Sequence, residues 1–517
     1  MKAKPIITAG EAAGQVRDGD TVASSGFVSS AIPEALIKAL EKRFLETGAP
    51  RGLTYFYAGS QGLRDGRGGD HMAHKGLTKR VIAGHYNTAP ALGEAILAGE
   101  IEGYNLPQGT LAQLARDMAG RRPGTLTHVG LGTFVDPRLG GGKLNSITTE
   151  DLVELVGIHG EEKLLYRSFD IDVAFLRGSY ADEAGNVSMQ REVADGEVTA
   201  LAQAAKNSGG KVFVQVEKIV PEGTLNPRLV KIPRNLVDAL IVADPEDHEQ
   251  TYGCEYDPSL TGEVRIQADA LPPMPLNVKK IIARRAALEL KPDTLVNLGI
   301  GIPEFIASVA NEEGVGESIM LTVEAGPSGG IPQSGVRFGA SVNPECILSQ
   351  HEQFDYYDGG GIDMAFLGMA QADKDGNINV SRFSGRLAGC GGFVNITQNA
   401  KGVYFCGTFT SGELDVEIRD GRLGIVAEGR EKKFIDAVEQ ITFSGAYARK
   451  KGQRALYITE RAVFELRADG LWLTEIAPGI DLEAQVLAQM GFKPLMEDGG
   501  PRLMDERIFR DGLMGLV

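Results

Sequence analysis

Cysteine is scarce in this chain: four residues in 517, at Cys254, Cys346, Cys390 and Cys406, with no CxxC pair. That spacing excludes a disulfide framework and the usual thiolate zinc sites. Seven histidines form no HExxH or related pair, so no metal is expected. No run approaches the roughly 20 uninterrupted apolar residues of a membrane span. Met1 to Thr8 lacks the apolar stretch of a signal peptide. The expectation is a cytoplasmic protein without a membrane partner. A basic excess is missing too: the net charge is −16, the wrong sign for a nucleic-acid partner. A basic pocket or a helix N-terminus still suffices to hold a small anion.

Hydrophobic residues make up 43% and charged residues 24%, which excludes general disorder. The length allows two or more cores at roughly 100–200 residues per domain. Glycine is in excess, 67 of 517, about one in eight against a usual 7%. Without a G-X-Y period, that excess means tight turns and backbone that closely approaches something.

Short β-rich runs alternate with amphipathic stretches. Thr21–Ala23, Leu53–Tyr57, Arg80–Ala83, Lys211–Val216 and Ala239–Ala243 read as buried strands, and Pro33–Phe44 and Gly109–Met118 as helices. The alternation predicts α/β layers with largely parallel sheets. Three prolines within Ala270–Pro275 mark a boundary, giving domains at 1–270 and 276–517. A helix resumes near Asn277, and its basic residues, Lys279 to Arg285, read as a solvated face.

Two internal echoes relate the halves. Asp20-Thr21-Val22 leads through Gly26 to Pro33-Glu34, as Asp293-Thr294-Leu295 leads through Gly299 to Pro303-Glu304. Asp172–Leu176 with Ala181–Val187 matches Asp363–Leu367 with Ala372–Ile378 without gaps. This predicts two related domains, the first with an insertion of about 80 residues and the second with a C-terminal extension.

Ile319–Val323 is a buried-strand pattern that stops at Glu324, before Ala325-Gly326-Pro327-Ser328-Gly329-Gly330. Open α/β sheets bind ligands at such strand ends. A carboxylate there serves as base, metal ligand or nucleophile, or simply faces solvent. Leu298-Gly299-Ile300-Gly301-Ile302-Pro303 is a glycine turn that exposes backbone N–H groups to an anion, though it lacks the third glycine of a dinucleotide fingerprint. Glycine-rich loops also occur at Tyr104–Thr110, Gly130–Gly142 and Ala388–Phe393. Cys390 reads as structural, since no histidine lies near it in sequence.

Thr322–Gly330 resembles the nucleophile segment of the family I coenzyme A-transferases, in the propionate/acetate CoA-transferase branch. Gly26–Ser30, Tyr57–Gly62, Pro107–Leu111, Tyr356–Gly361 and Asp505–Phe509 carry the resemblance along almost the whole chain. It implies two homologous α/β domains with the active site at their interface. Glu324 is then the nucleophile, and Gly299, Ile300, Gly301, Ile302 and Pro303 contact the CoA thioester. Backbone at Gly391 and Gly392 supplies an oxyanion site, and Gly26, Phe27, Val28, Gln108 and Gly109 line the substrate pocket. The implied reaction exchanges CoA between short-chain acyl-CoA and free short-chain acids by a ping-pong route through a glutamyl-CoA thioester. It uses no prosthetic group, coenzyme A thioester being a substrate, and the assembly is a homo-oligomer, tetramer or dimer. An acyl-CoA hydrolase on the same fold and a non-catalytic CoA- or nucleotide-binding module are the alternatives. Relatives often have Ser or Gly where this chain has Ala325.

Overall fold

The computed structural model describes residues 3–267 and 274–516; the expected boundary at Ala270–Pro275 thus lies, as far as residue 273, outside the described residues. Two compact units emerge. The first joins Met1–Ile266 with Val323–Tyr356 and Arg386–Asn395, and the second joins Gln267–Thr322, Tyr357–Gly385 and Ile396–Val517.

The first unit is built on strands β1 (Thr21–Ser24), β2 (Leu53–Tyr57), β3 (Thr78–Ala83), β4 (Glu102–Asn105), β5 (Val173–Arg177), β6 (Lys211–Val216) and β7 (Ala239–Val242). They form a seven-stranded sheet in the order β7-β6-β5-β1-β2-β3-β4, every pair parallel. All five residues of β5 are buried, as expected of a parallel strand covered on both faces. Helices α1 (Glu34–Thr47), α2 (Gln108–Ala119) and α3 (Val198–Asn207) belong to this layer. Gly48 ends α1 in the left-handed region at φ +72°, donating its N–H to the Phe44 carbonyl, the usual glycine stop. Val22, Leu36, Ile37, Leu40, Tyr55 and Phe175 share one core. Between β4 and β5, within the expected insertion, Gly124–Thr127, Val153–Ile158 and Glu161–Arg167 make an antiparallel three-stranded sheet.

The second unit repeats the design. Helix α4 (Val278–Ala287) precedes β8 (Thr294–Leu298), β9 (Ile319–Thr322), β10 (Met364–Gly368), β11 (Gly402–Cys406) and β12 (Arg454–Ile458). These pair in parallel in the order β9-β8-β10-β11-β12. A hairpin, β13 (Ala462–Arg467) and β14 (Gly470–Ile476), extends the sheet antiparallel.

The repeat is visible in hydrogen bonds. Asp172 accepts the Thr21 N–H on its carboxylate at 2.8 Å, and Asp363 accepts that of Leu295 at 2.9 Å, which displaces the Asp20/Asp293 echo by one residue, Thr21 corresponding to Leu295 and not to Thr294. Asp182 accepts the Asn186 side-chain amide at 2.9 Å, and Asp373 that of Asn377 at 3.0 Å.

The basic residues of α4 depart from the expected solvated face. Lys280, Arg284 and Arg285 are buried. Lys280 pairs with Glu312 at 2.7 Å, and Arg285 holds both oxygens of Glu475 at 2.7 and 2.9 Å. Arg284 donates to the carbonyls of Arg510 and Gly512 in the C-terminal tail. Each cation meets acceptors contributed from far along the chain, which a local pattern does not reveal. Among the described residues, no helix is long and apolar enough to cross a membrane.

Candidate active site

The carboxyl ends of the parallel strands in the first unit bring together Gly26 and Phe27 after β1, Gly59 and Ser60 after β2, Gly84 and His85 after β3, and Gln108 after β4. Close packing explains the glycines. A Cβ on Gly59 would lie 2.9 Å from the Phe27 ring and 3.6 Å from the Gln108 side chain, and one on Gly84 would lie 2.4 Å from the Ala58 carbonyl oxygen. Gly26 sits at φ +124°, with Ile32 2.7 Å from its missing Cβ. Val28 holds φ +56°, an outlier for a β-branched residue. Its N–H donates to the Ser60 carbonyl and its own carbonyl accepts from Gly62.

Glu324 stands in a turn closed by Val323 N–H donating to the Pro327 carbonyl at 2.9 Å and Gly326 N–H donating to the Val323 carbonyl at 3.0 Å. The flanking Val323 and Ala325 are buried in an apolar cluster with Phe27, Val28, Phe338 and Ala340. The Phe27 and Phe338 rings lie 5.9 Å apart. Gly326, at φ +132°, leaves only 2.1 Å between a hypothetical Cβ and the Leu348 carbonyl oxygen. No side chain among the described residues pairs with the Glu324 carboxylate. Burial pushes it up to about 7, because the charged form loses water without gaining a cation.

A cavity of about 10 Å³, room for about one water, is lined by Gly26, Phe27, Ala325, Gly339, Gly196 and Gln350, among others. Next to Gly196, Glu197 is buried with neither oxygen hydrogen-bonded, and burial pushes it up to about 8.

Gln108 opens α2, with its N–H donating to the Gly391 carbonyl at 2.9 Å. Its side-chain amide nitrogen is buried without a partner. Gly109 donates its N–H to the Asn395 side chain at 3.1 Å. The Gly391 N–H is already committed to the Gly84 carbonyl at 2.7 Å, whereas no group among the described residues accepts the Gly392 N–H.

Two neighbours were not singled out by sequence reading. Asn105 donates to the carbonyls of Ala83 and Gly84 and accepts from Cys390 N–H at 2.9 Å, tethering the 388–392 loop. His85, held neutral by burial and by nearby Arg64, falls to about 4 and bonds the Ser60 hydroxyl at 2.9 Å. Their only sequence signal is their place at strand ends. Cys390 is buried and its thiol is pushed up by desolvation, in keeping with a structural role.

Comparison with known proteins decides the family. Residues 6–243 match the Coenzyme A transferase family. The chain is 47% identical to a caffeate CoA-transferase of Acetobacterium woodii, over 99% of this chain and 98% of that protein. It is 42% identical to the acetate CoA-transferase YdiF of Escherichia coli K12, over 99% and 96%. The apoenzyme structure of the acyl-CoA transferase YdiF from E. coli O157:H7 superposes with a TM-score of 0.95 at 41% identity, covering 100% of this chain and 98% of that one. A structure of the same protein as a thioester complex with CoA gives 0.94 at equal identity and coverage. The chain belongs to the coenzyme A transferase family.

As a CoA-transferase, it carries the glycine loop in its second unit at the end of β8. Gly299 donates its N–H to the Phe366 carbonyl at 2.8 Å, and a Cβ there would meet Leu367 at 2.7 Å. Gly301 turns at φ +90°, Ile300 is exposed, and Ile302 and Pro303 start a short 3-10 turn. Among the described residues of this CoA-transferase, no cluster of three or more His, Cys, Asp or Glu is arranged to hold a metal.

Proposed function

We propose that this CoA-transferase exchanges coenzyme A between short-chain acyl-CoA and short-chain carboxylates, with Glu324 as nucleophile. One observation carries the reading: a desolvated carboxylate without a cation partner, held in a glycine-walled turn. Glu324 is half-buried, and a partly desolvated carboxylate without a side-chain partner is more basic and sheds less water on attack than a fully solvated one.

The Glu324 carboxylate attacks the acyl-CoA carbonyl; the C–S bond breaks, and CoA leaves as thiolate, giving an acyl-glutamyl anhydride. The thiolate then attacks the glutamyl carbonyl and expels the first acid as carboxylate, leaving a glutamyl-CoA thioester. An incoming acid reverses both steps. The Gly392 N–H is the oxyanion donor, since that of Gly391 is committed; such a donor is worth about 10²–10³ in rate. Gly299 to Pro303 take the CoA thioester portion. Gly26, Phe27, Val28, Gln108 and Gly109 shape the acyl side, with the free Gln108 amide nitrogen facing substrate oxygen.

The small apolar cavity beside Ala325, with room for about one water, favours a compact acyl group such as acetyl. A second reading, a cinnamate-type acid, draws support from the relative that bears caffeate in its name.

Enzyme incubated with acetyl-CoA and then borohydride or hydroxylamine is expected to carry the modification at Glu324 alone. Modification at another residue overturns the assignment. An acceptor panel with acetate, propionate, butyrate, lactate and caffeate ranks the acids, and thiol release without any acceptor measures the hydrolase alternative.

A further inference from the structure

In the second unit, the carboxyl edge of the sheet holds a cation that no step above uses. Gly299 follows β8, Met369 follows β10 and Gly407 follows β11. These positions are contiguous. A Cβ on Gly368 would lie 3.8 Å from the Ile300 carbonyl oxygen, and one on Gly407 would lie 3.1 Å from Met369 Cγ and 3.0 Å from Lys433 Nζ. The missing Gly407 side chain thus leaves room for the Lys433 ammonium, on the same edge as the glycine loop.

Lys433 is fixed there by its backbone. Its carbonyl accepts Ala372 N–H at 2.8 Å, and Ile435 N–H donates to the Ala372 carbonyl at 2.9 Å. The next residue, Phe434, is buried and packs on Phe409 and Phe464 at ring separations of 4.9 and 4.6 Å. Among the described residues, Nζ has neither an ion-pair nor a hydrogen-bond partner. The carboxylate that acts on it, Glu460, is already occupied: one oxygen accepts Phe409 N–H at 2.9 Å and the other Arg461 Nε at 2.6 Å. Desolvation brings Lys433 down to about 8, leaving it mostly protonated at neutral pH. A desolvated ammonium without a partner gains most from an anion, and lysine serves phosphate well as a point charge.

We propose that Lys433 is a binding residue for the CoA half of the substrate, its ammonium donating to a phosphate oxygen of the coenzyme's nucleotide arm. This rests on the reading that the glycine loop takes CoA. The free acid has no phosphate, and neither does the pantetheine arm, so the two are separable by experiment.

In the full-length enzyme, Lys433→Met is expected to raise KM for acetyl-CoA about 10–100-fold, the worth of one hydrogen bond to a charged group, with kcat within about twofold of wild type. KM for the acid, and the rate with acetyl-pantetheine, stay unchanged; Lys433→Arg restores most of the affinity. A wild-type KM for acetyl-CoA in the Met variant overturns the proposal. So does an equal loss with acetyl-pantetheine, or a loss confined to the acid. Should the Met variant fail to fold, wild-type enzyme labelled with trinitrobenzenesulfonate provides the second measurement. CoA, but not pantetheine, is expected to protect Lys433, and equal labelling with and without CoA overturns the idea. Wild-type enzyme that exchanges CoA while Lys433 stays indifferent defeats this inference alone, whereas wild-type enzyme without exchange defeats the parent reading.

Discussion

The backbone N–H of Gln108 donates to the carbonyl of Gly391 at 2.9 Å, while the N–H of Gly391 donates to Gly84 at 2.7 Å. Three strand-end loops are thereby stitched through one glycine held at φ +51°. A Cβ there has room, its nearest neighbour being 3.7 Å away, so the cost of Gly391→Ala comes from backbone conformation. The expected loss is about 1–2 kcal/mol of stability, read by urea titration, with exchange slowed more than the fold is weakened.

Gly109→Ala tests the opposite case. Its Cβ would fall 2.3 Å from the Phe354 ring and 2.7 Å from the Asn395 amide. Overpacking of this kind costs about 1–3 kcal/mol, so a lowered Tm is expected together with reduced exchange. An unchanged Tm would contradict the packing described.

Glu324→Gln is expected to abolish exchange while stabilising the fold above neutral pH. The native carboxyl is raised from 4.5 to about 7, so the folded state binds the proton more tightly than the unfolded chain. The stability this group supplies is present below about 4.5 and is lost as pH rises through about 7. At pH 8 the glutamine variant gains up to about 3 kcal/mol at 1.36 kcal/mol per unit, measured as a rise in denaturation midpoint that fades toward pH 5.

The same value predicts a rate profile. Attack needs the carboxylate, so kcat/KM for acyl-CoA is expected to fall tenfold per pH unit below about 7 and to level off above it. A flat profile between pH 5 and 8 would exclude Glu324 as the titrating nucleophile.

His71 gives a second pH signature away from the strand ends. Burial pulls it down, but Glu34 at 2.8 Å and Glu41 at 2.6 Å outweigh this and hold it above its ordinary value. Its contribution is complete below the unfolded value of about 6.5 and disappears as pH rises through the folded one. Wild-type Tm is therefore expected to fall more steeply than that of His71→Gln above pH 6.5.

Much of this was legible from residue order. The five short apolar runs became β1, β2, β3, β6 and β7, because strands buried on both faces need continuous apolar residues. Glu324 stood out because an apolar run ended in an ionisable group followed by glycine and proline, although the strand itself, β9, is only partly buried and Met320 on it is exposed. The burial of Arg284 and Arg285 did not show, since their acceptors, tail carbonyls and Glu475, lie some 190–230 positions away. Nor did the fact that the Gly391 N–H is committed to Gly84 while that of Gly392 is not. Adjacent identical residues differ only in which N–H the fold has already claimed, and Lys433 stood out only once its partners were found to be missing.

The three-stretch construction of the first unit has a practical consequence. Arg337 pairs with Asp257 at 3.1 Å, and Asn343 exchanges hydrogen bonds with Ile266 at 3.0 and 2.8 Å, so residues 323–356 finish what residues 1–266 begin. A gene split at the proline-rich segment would give an amino-terminal fragment whose Phe27 and Leu260 lack their apolar neighbours Val323, Ala325 and Phe338. Such a fragment would aggregate when expressed alone, and only co-expression with its complement would return soluble protein.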